Sequence, residues 1–218
     1  MIKKNFLLFA IVFLLSSCGL FESSHEMGKT AEELVAEGSS AFVSGNYKDA
    51  VKAYTDLKDW YPFSKYAILA ELKIADANYQ LKQYDEAIIA YEAFEKMHPK
   101  NDAIPYVIYS SGLCWFDQLD TVDRDQTPAK NSMLLFKRLI NQYPASEYAQ
   151  KAKEKIQRCL ENLSGHELYV ADFYYKTKQY TSALARYESL VMNFPGSKES
   201  KEALNKILKC KELANKNK

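Results

Sequence analysis

Three groups of residues in this sequence are of types that can do chemistry. The first is Asp123-Arg124-Asp125, inside DTVDRDQTPAK (120–130). Two carboxylates close in sequence can share acid–base work if a pocket holds one of them protonated. An arginine between them favours the ionised form of both, and the stretch lies between two apolar segments, where a connecting loop is expected. Thr127 ahead of Pro128 reads as an N-cap with proline in the first helical position. The pattern therefore predicts a salt-bridged, capped turn or a partner contact, and no catalytic pair. The second group is Cys114, Cys159 and Cys210, each fifteen residues after a proline (Pro99, Pro144, Pro195), with Ala77 in the same slot after Pro62. Spacings of 45 and 51 are far from those of zinc ligands, and equivalent small positions read as packing slots. A disulfide between stacked neighbours stays open in an oxidising compartment. The third group is His25, His98 and His166, which do not cluster in sequence. GxSxG, HExxH, P-loop and GxGxxG patterns are absent from the sequence. No catalytic residue, metal site or cofactor is expected.

The N-terminus places the chain. Lys3 and Lys4 precede an unbroken apolar run from Phe6 to Leu15. As a helix, that run reaches ~15 Å, about half of a ~30 Å hydrocarbon core, so it reads as a secretory signal in residues 1–17. Leu15-Ser16-Ser17-Cys18 resembles a bacterial lipobox, which implies cleavage before Cys18 and acylation of that residue. Gly19, not Asp, follows the cysteine, and in enteric-type lipoproteins that resembles an outer-membrane destination. Residues 18–29 read as a lipidated tether. Loss of Lys3 and Lys4 would take the formal charge from +1 to −1, which gives no electrostatic case for nucleic acid. A chain 26% charged and 47% hydrophobic is globular.

The elements that must position these residues repeat. Tyr61-Pro62, His98-Pro99, Tyr143-Pro144 and Phe194-Pro195 mark four units. Twelve residues before each proline stand Ala50, Ala87, Ser132 and Ala183; eight before, Tyr54, Tyr91, Phe136 and Tyr187; five before, Leu57, Phe94, Leu139 and Leu190. A small residue followed by large ones at +4 and +7 is one face of a helix. Two residues after each proline comes a capping type, Ser64, Asn101, Ser146 or Ser197. Gly38, Ala75 and Ala171 each precede the small residue of the next helix by twelve, whereas Gly112 to Ser132 is twenty. The Asp-Arg-Asp stretch is thus an eight-residue insertion, expected at an exposed hairpin tip.

The spacings resemble the tetratricopeptide repeat. They predict an all-α solenoid of about ten helices in five antiparallel pairs, over 30–44, 47–60, 65–82, 84–97, 103–119, 128–142, 147–162, 165–178, 180–193 and 198–215. N-terminal repeats would fill 30–119, the inserted loop 120–127 and C-terminal repeats 128–215. The 16 tyrosines mostly fall on core faces; any left exposed suit a binding surface.

The segment TVDRDQTPAKNSMLLFKRLINQYPASEYAQKAKEKI resembles the BamD family of β-barrel assembly lipoproteins. The residues that carry the resemblance are Asp123, Arg124, Asp125, Ala129, Phe136, Tyr143, Pro144 and Ser146. YPFSKYA (61–67), PYVIYSSGL (105–113) and the segment 166–197 are similar too, so the resemblance covers nearly all of the mature chain. It implies a non-enzymatic scaffold that docks the POTRA domain of a BamA-type barrel protein and receives unfolded outer-membrane protein substrates. By position, Asp123, Arg124, Asp125, Tyr174 and Arg186 would lie on the BamA side, and Tyr61 and Phe63 at the substrate end. Arg186 precedes core Tyr187, so its charge should point outward. The family's arginine after the loop alanine is Lys130 here, which removes a bidentate contact at that position. Another periplasmic repeat lipoprotein, organising envelope or cell-division complexes, is the alternative.

Overall fold

The computed structural model describes residues 28–216. Among these, nine α-helices follow one another: α1 (Ala31–Val43), α2 (Tyr47–Trp60), α3 (Ala67–Gln80), α4 (Tyr84–Met97), α5 (Ile104–Phe116), α6 (Thr127–Gln142), α7 (Glu147–Lys176), α8 (Tyr180–Asn193) and α9 (Lys198–Lys216). No strand occurs among the described residues, and no helix there is long and apolar enough to cross a membrane. Each helix packs on its sequence neighbours, as in a tetratricopeptide-like solenoid. Residues 1–27, which include the expected signal segment, Cys18 and most of the expected tether, lie outside the described residues.

The prolines act as the repeat predicts. A proline keeps the preceding residue out of the α region. Tyr61, His98, Tyr143 and Phe194 accordingly become C-caps, with φ near −130° and ψ near 55°. Their N–H groups donate to the carbonyls of Leu57, Phe94, Leu139 and Leu190 at 2.8–3.0 Å. Two residues past each proline, Ser64, Asn101, Ser146 and Ser197 accept backbone N–H groups from Tyr66, Ala103, Tyr148 and Ser200 at 2.9–3.2 Å. Each turn is thereby closed from both sides. Thr30 and Glu33 form a capping box at the start of α1.

Inside each hairpin a small residue faces an aromatic ring. A Cβ on Gly38 would come within 2.8 Å of the Tyr54 ring, and one on Gly112 within 2.6 Å of Phe136. Ala75 and Ala171, in the equivalent slots, are fully buried, as are Tyr91 and Tyr187 to within 1%. Cys114, Cys159 and Cys210 are buried free thiols. Burial pushes the Cys114 thiol up to about 12, as for a small hydrophobe and unlike a reactive thiolate.

Two expectations need correction. The helices placed at 147–162 and 165–178 are one helix, α7, of 30 residues and ~45 Å, so nine helices stand where ten were expected. Ser164-Gly165 reads as a break, yet no proline interrupts the ladder and Gly165 serves a close contact (below). The helix links two cores. Its Ala149 and Ala152 pack with α3–α6, and its Ala171 packs with α8 and α9. Secondly, Thr127 is not the N-cap of α6. It lies in the first turn; Gln126 is the N-cap and makes no side-chain capping bond, while Asp125 before it accepts from the Thr127 N–H at 3.1 Å and its hydroxyl at 2.9 Å.

Candidate functional site

The insertion between α5 and α6 is built from self-contained turns. Asp120 Oδ1 accepts from the Thr121 N–H at 2.7 Å, and the Arg124 N–H donates to the Thr121 carbonyl at 3.0 Å. Buried Gln126 donates from Nε2 to the Arg124 carbonyl at 2.9 Å. Arg124 Nε lies 4.0 Å from Asp123 Oδ2, a loose and solvated pair, so the expected salt bridge contributes little. Hydrogen bonds from Thr121 hold the Asp123 carboxyl below the usual carboxylate range, and those from Thr127 do the same for Asp125. Neither shift is led by Arg124. A general acid needs the opposite displacement.

The loop is not a free hairpin tip. It lies along the middle of α7, where His166 Nδ1 donates to the Val122 carbonyl at 2.6 Å and Asn162 Nδ2 donates to that of Asp120 at 2.8 Å. Val122 seats over Gly165, where any Cβ would approach Val122 Cγ1 to 2.7 Å. Lys155 adds a cation–π contact 4.4 Å above Phe116, at the end of α5. Between the loop, α7 and the α8–α9 turn opens a cleft of about 1230 Å³, lined by Asp120, Arg158, Glu161, Lys198 and Glu199 among others.

Next to His166, Glu167 accepts from Arg186 Nη1 at 3.3 Å. Adjacent residues of one helix therefore hold the loop and Arg186. Tyr174 lies seven residues beyond Glu167 on the same helical face, half-buried, with its ring edge-on to Phe173 at 5.8 Å. The loop that carries Asp123, Arg124 and Asp125 touches α7 through Asp120 and Val122, Arg186 pairs with Glu167 of the same helix, and Tyr174 lies two turns further along it. Tyr61 and Phe63 stand apart, at the α2–α3 turn. The Tyr61 hydroxyl donates to the Lys29 carbonyl at 2.9 Å, clamping the segment that leads into α1. Phe63 is fully exposed, and Trp60, Ile68 and Leu69 nearby are exposed as well, giving that end an apolar surface.

Sequence reasoning missed Gly165, His166 and Asn162 as the seat of the loop, and Trp60 as an exposed neighbour of Phe63. A glycine inside an otherwise unbroken amphipathic run was the available signal for the seat.

The sequence matches the family described as YfiO, outer membrane lipoprotein, over residues 27–217. It is 28% identical over 217 residues to the outer membrane protein assembly factor BamD of Neisseria meningitidis, covering 93% of this chain and 81% of that protein. It is 26% identical over 182 residues to the Caulobacter vibrioides protein of the same name, covering 84% of this chain but only 60% of that longer protein. A tetratricopeptide repeat protein from Parabacteroides merdae overlaps in structure with a TM-score of 0.45 at 12% identity, over 86% of this chain and 74% of that one.

Proposed function

This chain belongs to the YfiO family of outer membrane lipoproteins, and from that premise we propose that it is a non-enzymatic scaffold in outer-membrane protein assembly. The family match across the whole helical stack carries this reading. It is supported by relatives named as assembly factors and by a stacked-hairpin surface suited to protein docking. Asp123 and Asp125, the carboxylate pair of the inserted loop, are held ionised by hydrogen bonds. That suits contact better than catalysis.

In finer detail, the C-terminal half docks the POTRA domain of a BamA-type barrel protein. Arg186, Tyr174 and the inserted loop, which converge on α7, form the docking face. The exposed apolar end around Phe63 receives unfolded outer-membrane protein substrates, with Tyr61 setting its shape. Acylated Cys18 anchors the chain to the outer membrane, facing the periplasm. Two or more acyl chains on one residue would hold it firmly, since each buried methylene contributes ~0.8 kcal/mol.

Affinity purification from detergent-solubilised envelope tests the proposal. An Omp85-type barrel protein should co-purify with the tagged chain, and Cys18→Ser should abolish incorporation of labelled palmitate into the chain. Recovery with no such barrel protein would overturn the docking role.

A further inference from the structure

The seat on α7 holds the main chain of the insertion and leaves Asp123, Arg124 and Asp125 exposed to solvent. Asn162, Gly165 and His166 stand at i, i+3 and i+4, one stripe of the helix. They engage the Asp120 carbonyl, the Val122 side chain and the Val122 carbonyl respectively. On the far side, Gln126 is buried and grips the Arg124 carbonyl. The insertion is therefore pinned before and after residues 123–124.

What the pinned loop offers is decided by its own hydrogen bonds. Asp125 is occupied by the amide and hydroxyl of Thr127, and Asp123 is stabilised by Thr121. Arg124 differs from both. Its side chain is 70% exposed, and its nearest carboxylate oxygen is 4.0 Å away. A guanidinium with five donors and no close acceptor among the described residues matches an external carboxylate, which it can grip bidentately.

We propose that α7 is a presentation seat that fixes the inserted loop so that Arg124 docks onto a carboxylate of a folded partner protein, with Asn162, Gly165 and His166 as positioning residues. The inference rests on the docking reading above and sharpens it: of the three charges in the insertion, the arginine makes the contact and the two aspartates shape the turn. An arginine on an unpinned ten-residue loop would have to order that loop on binding, at roughly 1 kcal/mol or more per residue of backbone. The seat removes much of that cost in advance.

The test measures affinity of the full chain for the purified barrel partner, alongside amide hydrogen exchange of residues 119–126. Arg124→Gln should weaken association about tenfold, as for loss of a charge-assisted hydrogen bond. His166→Ala should weaken it several-fold, speed exchange in the loop, and make the further effect of Arg124→Gln small. His166→Asn, which keeps an N–H donor near the Nδ1 position, should restore binding and protection. If His166→Ala does not fold, Asn162→Ala at a half-buried position repeats the measurement. Unchanged affinity on Arg124→Gln, with affinity lost on Arg186→Glu, overturns the arginine contact and leaves the docking reading intact. Fully additive effects of Arg124→Gln and His166→Ala overturn the positioning role. If neither arginine variant matters, the docking reading falls as well.

Discussion

The Tyr91 hydroxyl donates to Asp76 Oδ1 at 2.9 Å across the second hairpin, fifteen residues apart in sequence. The same pairing recurs at the same spacing. Tyr187 bonds Asp172 at 2.5 Å, and Tyr54 shares a hydrogen bond with Ser39 at 3.0 Å. In each case the partner of the hydroxyl follows the small residue that the ring packs against. The third hairpin lacks both halves of the pair: Phe136 has no hydroxyl, and the residue after Gly112 is Leu113. The repeat therefore has polar and apolar versions of one contact, each internally consistent, because a buried hydroxyl without a partner is costly.

Tyr91→Phe should destabilise the chain by about 1–2 kcal/mol, leaving Asp76 with Tyr106 and Lys73. Tyr54→Phe, whose partner Ser39 is part-exposed, should cost less, ~0.5–1 kcal/mol. Phe136→Tyr, which adds a hydroxyl opposite Leu113, should destabilise despite matching the repeat consensus. Urea denaturation midpoints at constant slope measure all three. A stabilised Phe136→Tyr would refute the pairing rule.

Gly112→Ala should be destabilising by roughly 1–2 kcal/mol, although alanine is the better helix former. Its Cβ would press on the fully buried Phe136 ring. Adding Phe136→Leu to that variant should recover part of the loss, a coupling that thermal or urea unfolding of the four chains of a double-mutant cycle would read.

Alkaline pH should unfold the protein before its core tyrosines ionise in place. Burial, together with Asp76, raises the phenols of Tyr91 and Tyr106, and burial with the Asp172 hydrogen bond raises Tyr187. Their raised folded-state values stabilise the fold below the ordinary tyrosine range near ~10, and that contribution is lost as pH climbs past it. Phenolate absorbance should show a late, cooperative step coincident with loss of helical circular dichroism. A single smooth titration of all tyrosines with helix intact would contradict the buried network.

Acid should act late on the loop, after ordinary carboxylates have protonated. Asp123 and Asp125 titrate below the ordinary carboxylate range, so their hydrogen bonds are intact above ~4 and are lost as pH falls through the lowered values. By NMR, the Thr127 amide should keep its shift down to about pH 4 and move only below it. Asp125→Asn should leave that amide insensitive to pH.

Arg186→Glu should reduce recovery of the barrel partner while changing stability by no more than about 1 kcal/mol, because its pair with Glu167 is part-exposed. Unchanged recovery would take Arg186 off the docking face.

Much of this was open to reading along the chain, and the rest was not, for identifiable reasons. Local chemistry fixes the periodic parts. A proline dictates the backbone of the residue before it, a serine or asparagine two residues later supplies an acceptor, and small-to-aromatic spacing sets which face is buried. Those effects act within a turn or two, so Pro62, Ser64, Gly38 and Tyr54 announce themselves in sequence. The insertion was legible as an interruption of that spacing, and the family resemblance as a run of matching residues. The continuity of α7 was not: Ser164-Gly165 looks like a break until Val122, more than forty residues earlier, fills the space that Gly165 leaves. Nor could sequence show that His166 grips that loop while Glu167 grips Arg186, because both contacts depend on where separate helices come to rest. Periodicity is a property of neighbours in the chain; the loop's seat belongs to neighbours in space, and only tertiary packing decides those.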